Sequence, residues 1–216
     1  MGFVIAIDGP AASGKGTLAA RLGEAFGLPV LDSGLLYRAV AKAVVGAGGA
    51  LEDEEACAGA ARALTLGDLS DPGLRTAAMG EAASRVAVHA SVRAALIGAQ
   101  RAFAAREPGA VLDGRDIGTV ILPNADAKLF VTASAEARAA RRWRETADRD
   151  ATYEAVLADI LRRDARDEGR VTAPLRRAPD AILLDTTDLS IDAAFDAARR
   201  IVEAARARSG AGTQSS

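Results

Sequence analysis

The sequence predicts a doubly wound α/β fold in which a five-stranded parallel sheet carries helices on both faces. Three observations predict it. Five short runs, Phe3–Asp8, Pro29–Asp32, Ala110–Asp113, Lys128–Thr132 and Ala181–Asp185, are nearly continuous in apolar residues rather than alternating, as strands covered on both faces are. Helix-period stretches separate them near residues 15–26, 34–47, 52–66, 74–106, 135–147, 153–168 and 191–207, the fourth long enough for two helices. Four of the five runs end in aspartate (Asp8, Asp32, Asp113 and Asp185), at the carboxyl edge where sheets of this kind bind their ligands.

The first strand leads into Gly9, Pro10, Ala11, Ala12, Ser13, Gly14, Lys15, Gly16 and Thr17, and then into an apolar-periodic stretch that opens a helix. A glycine-rich turn between a buried strand and a helix start turns several backbone N–H groups toward one point. The helix dipole adds partial positive charge there, and Lys15 a full one. This is a cradle for nucleotide phosphates, with Thr17 the candidate hydroxyl near Mg²⁺. Gly16 stands between the lysine and the hydroxyl residue, where the standard pattern has the two adjacent.

The second strand ends in Asp32-Ser33-Gly34-Leu35-Leu36-Tyr37-Arg38. Ser33 is a candidate N-cap for the following helix. Tyr37 and Arg38 lie one turn beyond the same sheet edge, which suggests a second phosphate site, although Arg38 can also be read as a solvated helix charge. The stretch from here to the third strand far exceeds the roughly dozen residues that a crossover needs, so it is an insertion. The third strand ends in Asp113-Gly114-Arg115-Asp116. Asp113 can hold Mg²⁺ through water, Gly114 allows a tight turn, and Arg115 offers a planar fork suited to phosphate. After the fourth strand, Arg138, Arg141, Arg142 and Arg144 share one predicted helix, and Arg162, Arg163, Arg166 and Arg170 follow on the next. Positions 163, 166, 167 and 170 fall on one helical face. These arginines read equally as an exposed face laced with Arg–Asp pairs, for which Asp164 and Asp167 are well placed. The fifth strand and a final helix close the pattern, and residues 209–216 read as a small, polar, disordered tail.

Composition bounds the function. The chain has 216 residues, half of them apolar, which suits one domain over 1–208 with appendages. Aromatic residues are 4% and the net charge is −2, so there is neither a stacking platform nor a basic field for nucleic acid. Cys57 sits in an alanine-rich helical pattern and reads as a packed side chain. His89 has no partners at metal-ligand spacing. No apolar run reaches membrane-spanning length, and the N-terminus shows no basic leader or cleavage site. A soluble, cytoplasmic monomer is expected, with no nucleic-acid or membrane partner.

Ile7-Asp8-Gly9-Pro10 leading into Gly14-Lys15-Gly16-Thr17, Leu31-Asp32-Ser33-Gly34 with Tyr37-Arg38, Asp113 to Val120, and Arg163 to Asp167 with Arg170 together resemble the bacterial cytidylate kinase family. These are P-loop nucleoside monophosphate kinases that phosphorylate CMP and dCMP. The resemblance runs from about Phe3 to about Ala205. It implies a P-loop kinase fold with a helical monophosphate-binding insertion over about 33–106 and an arginine-rich lid over about 138–178. It implies that Gly9 to Thr17 hold ATP, with Thr17 and Asp113 near Mg²⁺. Ser33, Tyr37, Arg38, Arg115 and Arg170 would bind the acceptor around its phosphate, and Arg163 and Asp167 its ribose. Ser84, Arg93 and Asp116 would read cytosine, and Lys15, Arg115, Arg163 and Arg170 would be catalytic. Cytosine presents an exocyclic amino donor beside two acceptors, which an aspartate and an arginine complement; uracil presents an oxygen where the amino group stands. Many members carry a small β insertion in the monophosphate-binding region; here residues 63–74 are too few for three strands and read as a helix end and a turn.

Kinases for adenylate, uridylate or a non-nucleotide acceptor are the nearest rivals. A nucleotide-dependent switch is the rival from another class, but the chain has no Asn-Lys-x-Asp segment to read guanine. Replacing Lys15 by Ala is expected to lower turnover by orders of magnitude with the fold intact. Steady-state kinetics beside circular dichroism checks this, and near-normal turnover would overturn the assignment.

Overall fold

The computed structural model describes residues 2–145 and 151–212. Its elements run β1 (Phe3–Asp8), α1 (Lys15–Phe26), β2 (Val30–Asp32), α2 (Ser33–Gly46), α3 (Glu54–Ala63), α4 (Ala77–Val86), α5 (Ala90–Ala104), β3 (Gly109–Gly114), β4 (Ala127–Thr132), α6 (Ala135–Glu145), α7 (Tyr153–Glu168), β5 (Ile182–Asp185) and α8 (Ile191–Gly212). All five strands are parallel, in the order β2-β3-β1-β4-β5. The doubly wound sheet is therefore as expected, and the long fourth helical stretch divides into α4 and α5. The shortened segment between α3 and α4 forms two 3₁₀ turns, Leu66–Ser70 and Pro72–Arg75, and no strand.

Parallel strands alternate their side chains between two covered faces, and the core divides accordingly. Ile5 and Ile7 of β1, Val111 of β3 and Leu129 of β4 pack with Leu18 and Leu22 of α1 and with Ala198 and Val202 of α8. Ala6, Ala110 and Leu112 point to the other face, against Leu36, Val40 and Val44 of α2 and Val92 and Leu96 of α5. Cys57 is fully buried there and its thiol lies 3.6 Å from the Leu51 carbonyl, in keeping with a packing role. His89 points its Nε2 at the same carbonyl, 2.7 Å away.

Three expectations are corrected, and one feature is new. β5 is an edge strand with only Leu184 buried; Ile182 and Leu183 are 42% and 49% exposed, so its apolar run does not mean cover on both faces. Asp32, not Ser33, caps α2, its carboxylate accepting from Gly34 N at 2.9 Å, while Ser33 is the first helical residue. α8 continues to Gly212, past the expected end of that helix near residue 207. After β3 the chain makes a π-helical turn, Ile117–Ile121, because Asp8 accepts from both Ile117 N (2.7 Å) and Gly118 N (2.8 Å) and gathers those two amides. Residues 146 and 147 of the predicted sixth helix, residues 146–150 of the lid and residues 213–216 of the tail lie outside the described residues.

Gly9 joins the core to the loop beyond it. Its φ is +151°, and a Cβ built there would stand 1.9 Å from the Val131 carbonyl oxygen of β4. Gly9→Ala is expected to destabilise the protein by at least about 3 kcal/mol, from backbone strain and collision together. Urea unfolding measures this; an unchanged midpoint would show that β4 can move aside.

Candidate active site

The loop from Gly9 to Gly14 lies between β1 and α1 in the centre of the sheet. Ala12 (φ 58°) and Gly14 (φ 86°) both adopt left-handed backbone, which turns the loop around one point. For Ala12 this conformation costs about 1 kcal/mol, a strain of the kind found where a backbone is shaped for a ligand. No side chain caps α1, so the amides of its first turn remain available to an anion. Lys15 is buried and its Nζ donates to the Pro10 carbonyl at 3.2 Å. Six of the nine predicted loop residues, Ala12 to Thr17, line a cavity of about 750 Å³ with Arg141, Arg142, Arg144 and the segment Thr186–Ile191. Gly9 and Pro10 line no part of it; they shape the loop through the Val131 contact and the bond to Lys15. Ala11 faces a second cavity instead.

That second cavity, about 230 Å³, brings together every residue predicted for the acceptor: Ser33, Tyr37, Arg38, Ser84, Arg93, Arg115, Asp116, Arg163, Asp167 and Arg170. They come from α2, α4, α5, the end of β3, and α7 with the residue shortly after it. Seven cationic side chains line the cavity (Lys15, Arg38, Arg93, Arg115, Arg142, Arg163 and Arg170) against four carboxylates (Asp32, Asp113, Asp116 and Asp167), a formal excess of three positive charges. Arg93 is paired with Asp116, both buried, and its guanidinium lies 5.6 Å from the Tyr37 ring centre. Arg115 Nε donates to Asp167 at 2.8 Å. Burial alone would raise the Asp167 carboxyl, but Arg115 and Arg170 hold it below the usual carboxylate range. Arg38 Nη1 donates to the carbonyls of Leu74 (2.7 Å) and Thr76 (3.1 Å), fixing α2 against the turn that leads into α4. Arg163 has no ion pair among the described residues, and its Nε is buried without a partner. Burial, then Arg115 and Arg142, press its pKa down to about 10.

The two cavities meet. Ala12, Lys15, Gly16 and Arg142 line both, so a group passing from one to the other travels past two cations. Asp113 and Asp32 stand opposite each other on neighbouring strands nearby. Asp113 Oδ1 is buried without a partner, and burial, then Asp32, lifts the Asp113 carboxyl to about 7. A divalent cation fits such a site, because it would relieve both the unsatisfied oxygen and the repulsion between the carboxylates. Among the described residues no group of three or more His, Cys, Asp or Glu is placed to hold a metal alone. Such a cation would take most of its ligands from phosphate and water. The other two strand-end aspartates are not directed at a ligand. Asp8 is occupied by the amides of Ile117 and Gly118, and exposed Asp185 accepts from Thr187 N at 2.8 Å.

Sequence reasoning noted the α6 arginines without separating them, and the structure does. Arg138 is buried and binds the Ala133 carbonyl (2.9 Å), the Ala11 carbonyl of the loop (3.2 Å) and Asp164 of α7 (2.7 Å). It is a strut. Arg141 fastens to Thr186, and Arg142 has no ion pair or hydrogen bond among the described residues at the junction of the cavities. The donor-side segment Thr186–Ile191 carries no motif that could have announced it. Asp32, seen only as a strand end, lines the acceptor cavity as well as capping α2.

Burial and then Arg115 lower the Lys15 pKa from 10.5 to about 8. Below pH 8 the buried charge is therefore held at a cost on the order of 3 kcal/mol. Between about 8 and 10.5 the folded protein has lost a proton that the unfolded chain still holds, so wild-type stability rises with pH across that window. The ligand-free Lys15→Met variant is expected to be more stable than wild type at pH 7, with the difference closing toward pH 10.5. Denaturation at a series of pH values checks this; a constant difference would contradict it.

The sequence model of the cytidylate kinase family matches residues 5–204. A protein of Xanthobacter autotrophicus described as cytidylate kinase is 63% identical over 207 residues, covering 95% of this chain and 99% of its own. One from Caulobacter vibrioides with the same description is 61% identical over 210 residues, covering 96% and 99%. Among solved structures, an uncharacterized protein from Eubacterium ventriosum shares the fold at 16% identity, with a TM-score of 0.53 over 93% of this chain and 98% of its own. With that match across nearly all its length, the chain belongs to the cytidylate kinase family.

Proposed function

We propose that this chain transfers the γ-phosphoryl group of ATP to CMP or dCMP, giving ADP and CDP or dCDP, with Mg²⁺ accompanying the donor. Family membership supports the reaction class. The observation that carries the site reading is the junction of the two cavities, with Lys15 and Arg142 lining both. Two nucleotides in contiguous pockets can present an acceptor phosphate to a donor phosphate without a covalent enzyme intermediate.

The loop amides and Lys15 hold the donor phosphates in the 750 Å³ cavity. Ser33, Arg38, Arg115 and Arg170 hold the acceptor phosphate, Arg163 and Asp167 lie toward the ribose, and Ser84, Arg93 and Asp116 meet the base against Tyr37. An oxygen of the acceptor phosphate forms the new bond to the γ-phosphorus as the bond to the β–γ bridging oxygen breaks, and the electron pair leaves on ADP. Charge spreads over the transferring oxygens, so cations already in place stabilise it most. Lys15, Arg115, Arg142 and Arg163 are such cations, and Arg142 and Arg163 are free of carboxylates among the described residues. Bound near Thr17 and Asp113, Mg²⁺ would supply further neutralisation of the donor phosphates. The insertion over 33–106 and the lid over 138–178 would close on the nucleotides and exclude water.

A panel of monophosphates in a coupled ADP-release assay tests the proposal. CMP and dCMP are expected to exceed UMP and AMP at subsaturating concentration, and excess chelator to abolish turnover. Asp116→Asn is expected to cost at least about 100-fold in kcat/KM for CMP and to narrow its advantage over UMP, because the amino group of cytosine then meets a mixed donor and acceptor. Preference for another monophosphate, or slow hydrolysis indifferent to all of them, would overturn the reading.

A further inference from the structure

Arg166 lies one turn from Arg163 and beside Asp167, yet it lines neither cavity. It reaches across to α4 instead. Nη1 donates to Ser84 Oγ at 2.9 Å and Nη2 to Glu81 Oε1 at 2.8 Å. Glu81 and Ser84 are one turn apart on α4, so a single guanidinium spans both. The pairing is partly buried, and the bond to Arg166 is the chief reason that the Glu81 carboxyl lies below its usual range.

The consequence concerns the direction of a proton. A serine hydroxyl has one hydrogen and two lone pairs, whereas a guanidinium only donates. The bond from Arg166 therefore occupies a lone pair of Ser84 and leaves its hydrogen to point elsewhere. A serine inside a helix commonly donates to the carbonyl four residues earlier, here Gly80, but that bond is not made, and no other acceptor among the described residues takes the hydrogen. Ser84 is 6% exposed, and the space beside it is the acceptor cavity.

We propose that Arg166 is a positioning residue for acceptor selectivity, occupying one lone pair of Ser84 and holding its side chain so that the hydroxyl hydrogen is turned into the acceptor cavity, where it matches the ring-nitrogen acceptor of a 4-aminopyrimidine. Arg93 is a second donor at the same wall, and Asp116 supplies the acceptor for the amino group. Uracil carries a hydrogen on the ring nitrogen where cytosine has a lone pair, so a hydroxyl held as a donor there disfavours it. Without Arg166, the hydroxyl is free to turn its hydrogen to the Gly80 carbonyl and present lone pairs to either base. The inference rests on the pyrimidine-monophosphate reading above.

The experiment is a double-mutant cycle with Arg166→Met, Ser84→Ala and the pair, measured with CMP and with UMP at saturating ATP. Arg166→Met is expected to raise KM for CMP roughly tenfold, the scale of one hydrogen bond in a buried site, with kcat within about twofold. KM for UMP should change less, which narrows the preference. In the Ser84→Ala background the same change should add little, and Arg166→Lys, which keeps a donor, should recover part of the loss with the fold least disturbed. Additive losses, a loss confined to kcat, or equal losses for CMP and UMP would overturn the inference while wild-type turnover of CMP left the parent reading standing. A wild type that phosphorylates no pyrimidine monophosphate would overturn both.

Discussion

The burial of positive charge at the carboxyl edge of the sheet is the constraint to which the surrounding structure answers. A guanidinium taken out of water carries a desolvation penalty of several kcal/mol unless a carboxylate or carbonyl receives it. Seven cations line one 230 Å³ cavity, and most are received. Asp167 takes Arg115 and Arg170, Asp116 takes Arg93, and the carbonyls of Leu74 and Thr76 take Arg38. These partners come from elements far apart in the chain, so the charge pattern itself draws the end of β3 to α7, and α5 to the π-helical turn. What remains is the excess that a phosphate would complete, at Arg142 and Arg163. The buried excess is an instability at the site, and an anion bound there would remove it.

How much of this could be read from the chain depends on whether the signal was local. The loop around Lys15 was legible because strand, glycines, lysine and helix follow one another without a break, and the structure places Ala12 to Thr17 around the large cavity. The five strands were legible because apolar runs bounded by aspartate and glycine recur with helices between them. The β5 edge was not, because an apolar run looks the same whether one face or two are covered. The cap of α2 was misassigned between adjacent Asp32 and Ser33, which have nearly equal preference for that position.

The acceptor cavity shows the other side of the same rule. Tyr37, Arg38 and Arg115 are legible from their place after strand ends, the other seven of its ten residues only through a family resemblance, and the structure brings all ten to one cavity. Spacing alone, however, could not have distinguished Arg163 from Arg166 or Arg138 from Arg142. Each pair shares a helix, and a helix face is a statement about one element, not about what stands opposite. The distinction lies in the partners. Arg138 meets two carbonyls and Asp164 and becomes structural, while Arg142 has no such partner among the described residues and stays available. The π-helical turn is of the same kind, since its cause, Asp8, lies 109 residues away in sequence.

Asp8 also explains why the two halves of the site stay in register. It ends β1, immediately before the loop that lines the larger cavity, and its carboxylate grips the amides just after Asp116, which lines the smaller one. Gly9, the next residue, is pressed against β4. One strand end therefore fixes the Gly9–Gly14 loop and Asp116 against each other through a few bonds. Arg138 ties the same loop to α7 through Asp164, so the loop, the wall at Asp116 and α7 share a single rigid origin. In-line transfer tolerates little error in the separation of its reacting atoms. A sheet whose central strand carries that origin meets the requirement with the shortest mechanical path.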